Sequence, residues 1–335
     1  MIFVKQADNA QQTHYFNQVE VSPNGKYEYD ALYRLLKAEG RELIGLSTPN
    51  HSELAAAPLP NNTTALQRYT QSYVYDELGN LLQTAHAANS GNWNRYYHYS
   101  AGFSDNYLRS TSSDNVQPGT DHYTYDAHGN MTTMPHLTSM AWDYADRLQQ
   151  AVNGTQTSYY TYDGGGNRVR KVVDKGGGLI HERIYVGDWE VYREVQGGTL
   201  QLERETLHLS DDTGRIALVD TETTNANAQN IRYQFSNHLG SASLELDSTA
   251  NTISYEEYHP FGATSYRSGR NAAETSLKRY RYVGKERDEE TGLYYYGARY
   301  YAPWIQRFVS TDPLKDDYPY YSSYQYAGNK PDHFY

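Results

Sequence analysis

The sequence contains no cysteine. Disulfides, thiolate metal sites and cysteine nucleophiles are excluded together, and stability cannot depend on redox conditions. Positive charge is also scarce: 29 Lys and Arg stand against 40 Asp and Glu, a formal net charge of -11. A field of that sign repels phosphate backbones and anionic lipid, so neither nucleic acid nor membrane insertion is expected. No apolar run approaches the roughly 20 residues that span a bilayer. Met1 to Gln11 lacks the apolar core of a signal peptide, which points away from the classical secretory route. Phenylalanine is sparse as well, 7 against 36 tyrosines. Tyrosine favours strands and tolerates a half-wet position, so the composition predicts broad amphipathic sheets instead of one oily core.

What is present is a repeat. Tyr-x-Tyr-Asp occurs at Tyr27 to Asp30, Tyr73 to Asp76, Tyr123 to Asp126 and Tyr160 to Asp163. Three copies continue identically, with Gly79-Asn80, Gly129-Asn130 and Gly166-Asn167, and then an apolar residue, Leu81, Met131 or Val169. Tyrosines at i and i+2 point to one face of a strand. Asp opens a turn by accepting from a nearby backbone N–H, and Gly and Asn tolerate the positive φ where the chain reverses. Each unit therefore reads as strand, turn, strand. The first copy is degenerate, with Tyr33-Arg34 in place of Gly-Asn, and Trp142 to Leu148 reads as another worn copy, as does Tyr96 to Tyr99.

Repeats bury their surface against neighbours, so the usual count of domains by length does not apply. Consecutive hairpins are expected side by side in one continuous curved antiparallel sheet. Further strands are expected at Arg183 to Val186, Trp189 to Val195, Leu202 to Leu209, Ile231 to Phe235 and Ser243 to Leu246, without the turn signature. Gly176 to Gly178 and Thr221 to Asn230 read as loops, and Thr264 to Ser276 as a flexible connection or short helix.

Tyr-x-Tyr-Asp-x-x-Gly-Asn resembles the YD repeat of Rhs proteins, teneurins and Tc-toxin C subunits. The second half carries further likenesses: Asn237-His238-Leu239-Gly240-Ser241, Glu257 to Gly262, Tyr282 to Asp288 and Thr291 to Tyr295. Ala298 to Tyr301, Arg307-Phe308, Ser310 to Pro313, Tyr324 to Tyr326 and Asn329 to Pro331 complete the set. Together they resemble the Rhs-associated core domain, and the style of the repeats is most similar to Tc-toxin C subunits. The resemblance implies an all-β architecture of YD-repeat hairpins wound into a curved or spiral shell over residues 1–230, capped by an Rhs core domain over 231–335. It implies a secreted toxin component that encapsulates a C-terminal effector polypeptide, with a companion shell protein such as a Tc-toxin B subunit.

The resemblance also implies chemistry, an intramolecular aspartic-protease cleavage that releases the effector inside the shell. Such a site needs two carboxylates sharing one proton, one as acid and one as base. Asp312, in Ser310-Thr311-Asp312-Pro313, matches the family's first aspartate, and Arg299 matches its arginine. A fixed cation there suits an ion pair or a developing oxyanion. The second aspartate is implied further on, in an Asp-x-x-Gly-Leu context, and Asp332-His333-Phe334-Tyr335 lacks the Gly-Leu. The dyad is thus read as incomplete, and any enzymatic role as at most autocatalytic. Ala302 and Gln306 also depart from the family pattern, which usually has Asp and Gly there.

Blander roles stand beside these. Asp312 also reads as an Asp-Pro turn opener, and Arg299 as an ion pair or a cation–π stack on nearby tyrosines. Arg299 and Asp312 can meet only if the chain reverses between them, near Pro303 and Trp304 to Arg307. His238 and His259 lack partners at metal-ligand spacing, and Asp211-Asp212 and Asp316-Asp317 lack the alternating oxygens of a calcium loop. Gly164 to Gly166 has no Lys-Ser/Thr and helix after it, so the repeat turn explains it better than a phosphate loop. No metal or cofactor is expected. The rival reading from another class is an extracellular adhesion or glycan-binding YD-repeat module, whose exposed tyrosines would stack on sugars. A protease acting in trans is a second rival, which the incomplete dyad disfavours.

Overall fold

The computed structural model describes residues 14–16, 19–52, 66–100, 105–212 and 214–332. The stretch 1–11 read for a leader and residues 333–335 lie outside them. The architecture is antiparallel β throughout, with open sheets. Seven strands pair in chain order from Lys26–Tyr29 through Leu35–Leu43, Leu66–Tyr75, Leu81–Ala88, Trp93–Tyr99 and Leu108–Ser112 to Asp121–His122. Twelve more pair in chain order from Ser139–Trp142 to Thr264–Gly269. The strand Ala228–Ser236 carries this second sheet across residue 230 without a break. Four short strands, Glu286–Arg287, Tyr294–Tyr295, Tyr300–Ala302 and Arg307–Phe308, form a small closing sheet.

The three clear turns fall where the repeat places them. Asp76 N donates to Asn80 O at 2.9 Å, Asp126 N to Asn130 O at 2.9 Å and Asp163 N to Asn167 O at 2.9 Å. The aspartate then accepts from the backbone N–H of the same asparagine, at 2.7, 2.9 and 2.8 Å. Gly79, Gly129 and Gly166 hold φ of 81°, 90° and 84°, a region that costs a residue with a Cβ about 1–2 kcal/mol.

The worn copies make the same turn. Tyr33 and Asp146 take the positive φ, and Arg34 and Arg147 replace Asn by donating Nε to Asp30 at 2.6 Å and Asp143 at 2.8 Å. The turns at Gly187-Asp188 and Gly197-Gly198 lack the signature, as expected, but its geometry returns further on. Asn237 to Ser241, Asp247 to Asn251 and His259 to Ala263 close with the same pair of backbone hydrogen bonds, around Gly240, Ala250 and Gly262 at positive φ. Asn237 serves because its Oδ1 accepts from Ser241 N at 3.0 Å, as Asp does elsewhere. Thr264 to Ser276, read as a connection or short helix, is the strand Thr264–Gly269 followed by the helix Ala272–Ser276.

The excess of tyrosine over phenylalanine has a structural cause. Tyr73, Tyr123 and Tyr160, the first of each repeat pair, are buried in the main apolar cluster, and the second tyrosines pack against it. Several second tyrosines also donate their hydroxyl to the residue that follows a neighbouring turn. Tyr75 reaches Leu35 O at 2.9 Å, Tyr99 reaches Leu81 O at 2.9 Å, Tyr162 reaches Leu148 O at 2.7 Å and Tyr258 reaches Ala242 O at 3.1 Å. The ring fills the core and the phenol ties one hairpin to the next, which phenylalanine cannot do.

The expectation of one continuous sheet is also corrected. Between the two large sheets, Thr124–Tyr125 and Met131–Thr133 form a separate hairpin. Pro135, which lacks an N–H, follows in the tight turn Met134 to Leu137, closed by bonds of 2.9 and 3.1 Å. Met131 N donates to Val309 O at 2.8 Å, so the closing segment takes a bond that a neighbouring strand would otherwise take.

Gly129 lies where two constraints meet. A Cβ there would sit 2.6 Å from Tyr324 Oη and 2.8 Å from Thr311 Cγ2, whereas at Gly166 the nearest atom is 4.0 Å away. Gly166→Val is expected to lower stability by about 1–2 kcal/mol through φ alone. Gly129→Val is expected to cost clearly more, read as the difference between the two urea midpoints. Equal shifts would show that the Tyr324 and Thr311 contacts are readily displaced.

Candidate active site

The small closing sheet turns the chain back between Tyr300–Ala302 and Arg307–Phe308, with Gln306 at φ 59°. That reversal brings Arg299 to Asp312, as the spacing requires. Arg299 Nη2 lies 2.7 Å from Asp312 Oδ2, and its guanidinium stacks over Phe308 at 3.7 Å from the ring centre. The stacking partner is thus phenylalanine, not one of the neighbouring tyrosines. Arg299 Nη1 donates to Ser323 O at 3.3 Å, and Asp312 N donates to the same carbonyl at 2.9 Å. Burial pushes the Arg299 pKa down, against the upward pull of Asp312.

Asp312 also opens a turn. Its Oδ1 accepts from Leu314 N at 2.9 Å, and its carbonyl accepts from Lys315 N at 3.1 Å. One oxygen thus serves the turn read from the sequence, and the other pairs with the cation. The carboxylate is half-exposed, and its neighbours Thr311 and Ser323 line a groove together with Lys315, Tyr324 and Asp105. Repeat turns support the site from behind. Tyr324 Oη donates to Gly129 O at 2.7 Å, Ser322 Oγ to Asn80 Oδ1 at 2.8 Å, and Asn329 Nδ2 to Gly79 O at 2.8 Å. Ser323 and Phe308 were not singled out by sequence reasoning. Phe308 was visible as part of Arg307-Phe308, whereas Ser323 acts through its backbone, which leaves no residue signature.

Asp332 is held elsewhere. It is buried and accepts a short hydrogen bond from Tyr29 Oη of the first sheet. Asp211, Asp212, Asp316 and Asp317 are exposed, and no group of three or more His, Asp or Glu suited to a metal ion occurs among the described residues. His259, by contrast, is buried with His86 and Glu42. The paired tyrosines of the Tyr-x-Tyr motifs are packed inside or against the core, whereas Tyr33 and Tyr144 of the worn copies are exposed.

No protein-family model matches the chain. Its curated relatives include the toxin subunit YenC2 of Yersinia entomophaga, 31% identical over 323 residues that make up 91% of this chain and 33% of the relative. Among solved structures, the crystal structure of TcdB2-TccC3 superposes with a TM-score of 0.80 at 28% identity, covering 95% of this chain and 16% of that one. A Photorhabdus luminescens Tc holotoxin pore with a TccC3 mutation gives a TM-score of 0.79 at 27% identity, covering 96% and 15% of the two chains. The chain thus spans about a third of the length of YenC2.

Arg299→Met keeps apolar bulk over Phe308 and removes the charge. Loss of a charge-assisted hydrogen bond is expected to lower stability by about 1.5–3 kcal/mol. In an Asp312→Asn background, where the ion pair is already gone, the same substitution is expected to cost less. Urea unfolding of the four proteins measures this, and strictly additive losses would show that the pair contributes nothing.

Proposed function

We propose that this chain, similar to the toxin subunit YenC2 and to the TcdB2-TccC3 structure, is an Rhs-type, YD-repeat component of a Tc-toxin shell, and that its sheets encapsulate a polypeptide effector which an autoproteolytic core releases. Residues 1–230 supply shell wall and residues 231–335 the core. The companion is a second shell subunit of the Tc-toxin B kind, in keeping with TcdB2 in the similar TcdB2-TccC3 structure. The assembly works outside the producing cell.

The observation that supports a proteolytic core is the Arg299–Asp312 pair, held by Phe308 and the Ser323 carbonyl, with Thr311 and Ser323 lining a groove. In an aspartic-protease reaction one carboxylate takes a proton from water as its oxygen attacks the scissile carbonyl carbon. The other carboxyl donates a proton, and collapse of the tetrahedral intermediate breaks the C–N bond as the amine leaves protonated. Asp312 supplies one carboxylate, and Arg299 orients it and places positive charge where the oxyanion develops. The partner aspartate is expected in an Asp-x-x-Gly-Leu segment, since Asp332 is engaged with Tyr29. The same burial of repeat tyrosines that ties hairpins together disfavours the glycan-binding alternative.

The test is cleavage in a chain continued past Tyr335 by an Asp-x-x-Gly-Leu segment and a reporter domain. Cleavage within that segment is expected, with the reporter retained by the shell on a sizing column. Asp312→Asn keeps the shape and the bond from Leu314 N but cannot exchange the proton, and is expected to abolish cleavage without lowering the melting temperature by more than a few degrees. Cleavage of the Asp312→Asn chain at the unaltered rate would remove Asp312 from the mechanism.

A further inference from the structure

The end of the second sheet returns to the first. Arg41, on Leu35–Leu43, donates Nε to both carboxylate oxygens of Glu257 at 2.9 and 3.0 Å. The next residue along, Glu42, is fully buried and faces two histidines from different elements. His86 Nε2, on Leu81–Ala88, lies 3.0 Å from Glu42 Oε1. His259 Nε2, in the turn that follows Thr252–Tyr258, lies 3.6 Å from Glu42 Oε2. The two imidazoles are edge to face with centres 5.7 Å apart.

A glutamine sets the protons. Tyr73 Oη donates to Gln71 Oε1 at 2.6 Å, which turns the Gln71 amide nitrogen toward the rings. Its two hydrogens serve the Nδ1 of His86 at 3.3 Å and the Nδ1 of His259 at 3.3 Å. With the Gln71 amide donating to both, each Nδ1 accepts and each Nε2 carries a proton; His86 Nε2 then donates to Glu42 Oε1, and His259 Nε2 stands 3.6 Å from Oε2. Gln67 Nε2 donates to Glu42 Oε1 at 3.0 Å. Tyr27, Tyr69, Tyr73, Arg41 and Glu257 are the other titratable or charged groups around the cluster. Charging a ring adds an N–H at Nδ1, where Gln71 already presents one. Glu42 can neutralise one imidazolium; a second would be a buried, unpaired charge beside the first.

We propose that this joint is an acid-released clasp: neutral His86 and His259 hold Glu42 between the first sheet and the end of the second, and charging the second imidazole parts them. Burial, with His86 beside it, holds the His259 pKa well below the usual histidine range. A second histidine pair joins other elements. His51, in the loop after the first sheet's second strand, stacks on His136 at 3.8 Å, and His136 donates from Nε2 to Thr291 O of the closing segment at 2.9 Å. Burial, with help from His51 and Arg287, lowers the His136 pKa to about 4.

The sign follows from the lowered values. The folded chain binds fewer protons than the unfolded one below pH 6.5, so the contribution is complete above that value and is lost as the pH falls through the folded pKa. The carboxylates of Glu286 and Glu256 are held down to about 2, which keeps their own loss at more acid pH.

Hydrogen exchange on the whole chain, corrected for the intrinsic pH dependence of amide exchange, reads the clasp directly. Between pH 7 and pH 4.5, protection of Leu35–Leu43 and Thr252–Tyr258 is expected to fall by about tenfold or more, the factor that one unit of pKa depression carries. Trp189–Gln196 and Thr199–Asp211, in mid-sheet, are expected to keep theirs. His259→Gln, which cannot charge, is expected to move the opening to lower pH, and His128→Gln, at an exposed histidine, to leave it unchanged. Uniform loss across all four strands, or no loss above pH 4.5, would overturn the proposal. The unsubstituted protein decides independently of either variant's folding: an NMR titration in which the His259 ring charges near pH 6.5 with the joint still protected would also overturn it.

Discussion

The fold depends on one buried cation. Arg168 opens the strand Arg168–Asp174 directly after a repeat turn, and its guanidinium is almost wholly enclosed. Nη2 lies 2.6 Å from Glu286 Oε2, and Nη1 lies 2.9 Å from Asp288 Oδ2. The phenols of Tyr185 and Tyr300 complete its contacts at 3.2 Å each, and the Tyr295 ring covers it at 4.4 Å. Lys171 adds bonds of 2.8 Å to Asp288 and 3.0 Å to Glu290. Burial alone would raise Glu286 and lower Lys171. The opposite charges win, so Glu286 falls to about 2 and Lys171 rises to about 12. Taking charges out of water is costly, and the arrangement is stable only because each is matched; removal of one partner from such a pair costs about 3–5 kcal/mol.

This bolt fixes the segment that leads into the candidate site. Glu286, Asp288 and Glu290 seat the closing strands on the second sheet. Arg287 meanwhile donates to His51 O at 2.6 Å and ties them to the loop after the first sheet's second strand. From there the closing sheet carries Arg299 to Phe308 and Asp312, and the repeat turns at Gly79 and Gly129 hold its far side. An apolar interface could slide among near-equal packings. Matched buried charges favour one register, which keeps Arg299 and Asp312 in their paired arrangement.

Much of this was legible in the sequence where one residue type answers one backbone demand. Gly79, Gly129 and Gly166 announced positive φ, the aspartates announced the turns, and Arg299 and Asp312 met across the reversal anticipated between them. The turns at Asn237, Asp247 and His259 were missed as repeat turns because backbone hydrogen bonds define them, and Ala250 accepts a left-handed conformation that its identity does not advertise. The break between the sheets was missed because Pro135 acts together with Val309, whose carbonyl comes from far along the chain. The cluster of Glu42, His86 and His259 was illegible for the same reason: its members are separated in sequence and joined only when the second sheet curves back on the first. Glu286 and Asp288 were quoted as part of a likeness, and only the fold shows that they answer Arg168 and Lys171.

Buried charge pairing, more than apolar packing, holds the closing segment on the second sheet. A double-mutant cycle on Arg168→Met and Asp288→Asn, followed by urea unfolding, tests it most directly. The two losses are expected to be strongly non-additive, with a coupling of about 2 kcal/mol or more, within the range seen for residues of one network. Losses that add to within about 0.5 kcal/mol would contradict it, since independent sites behave that way.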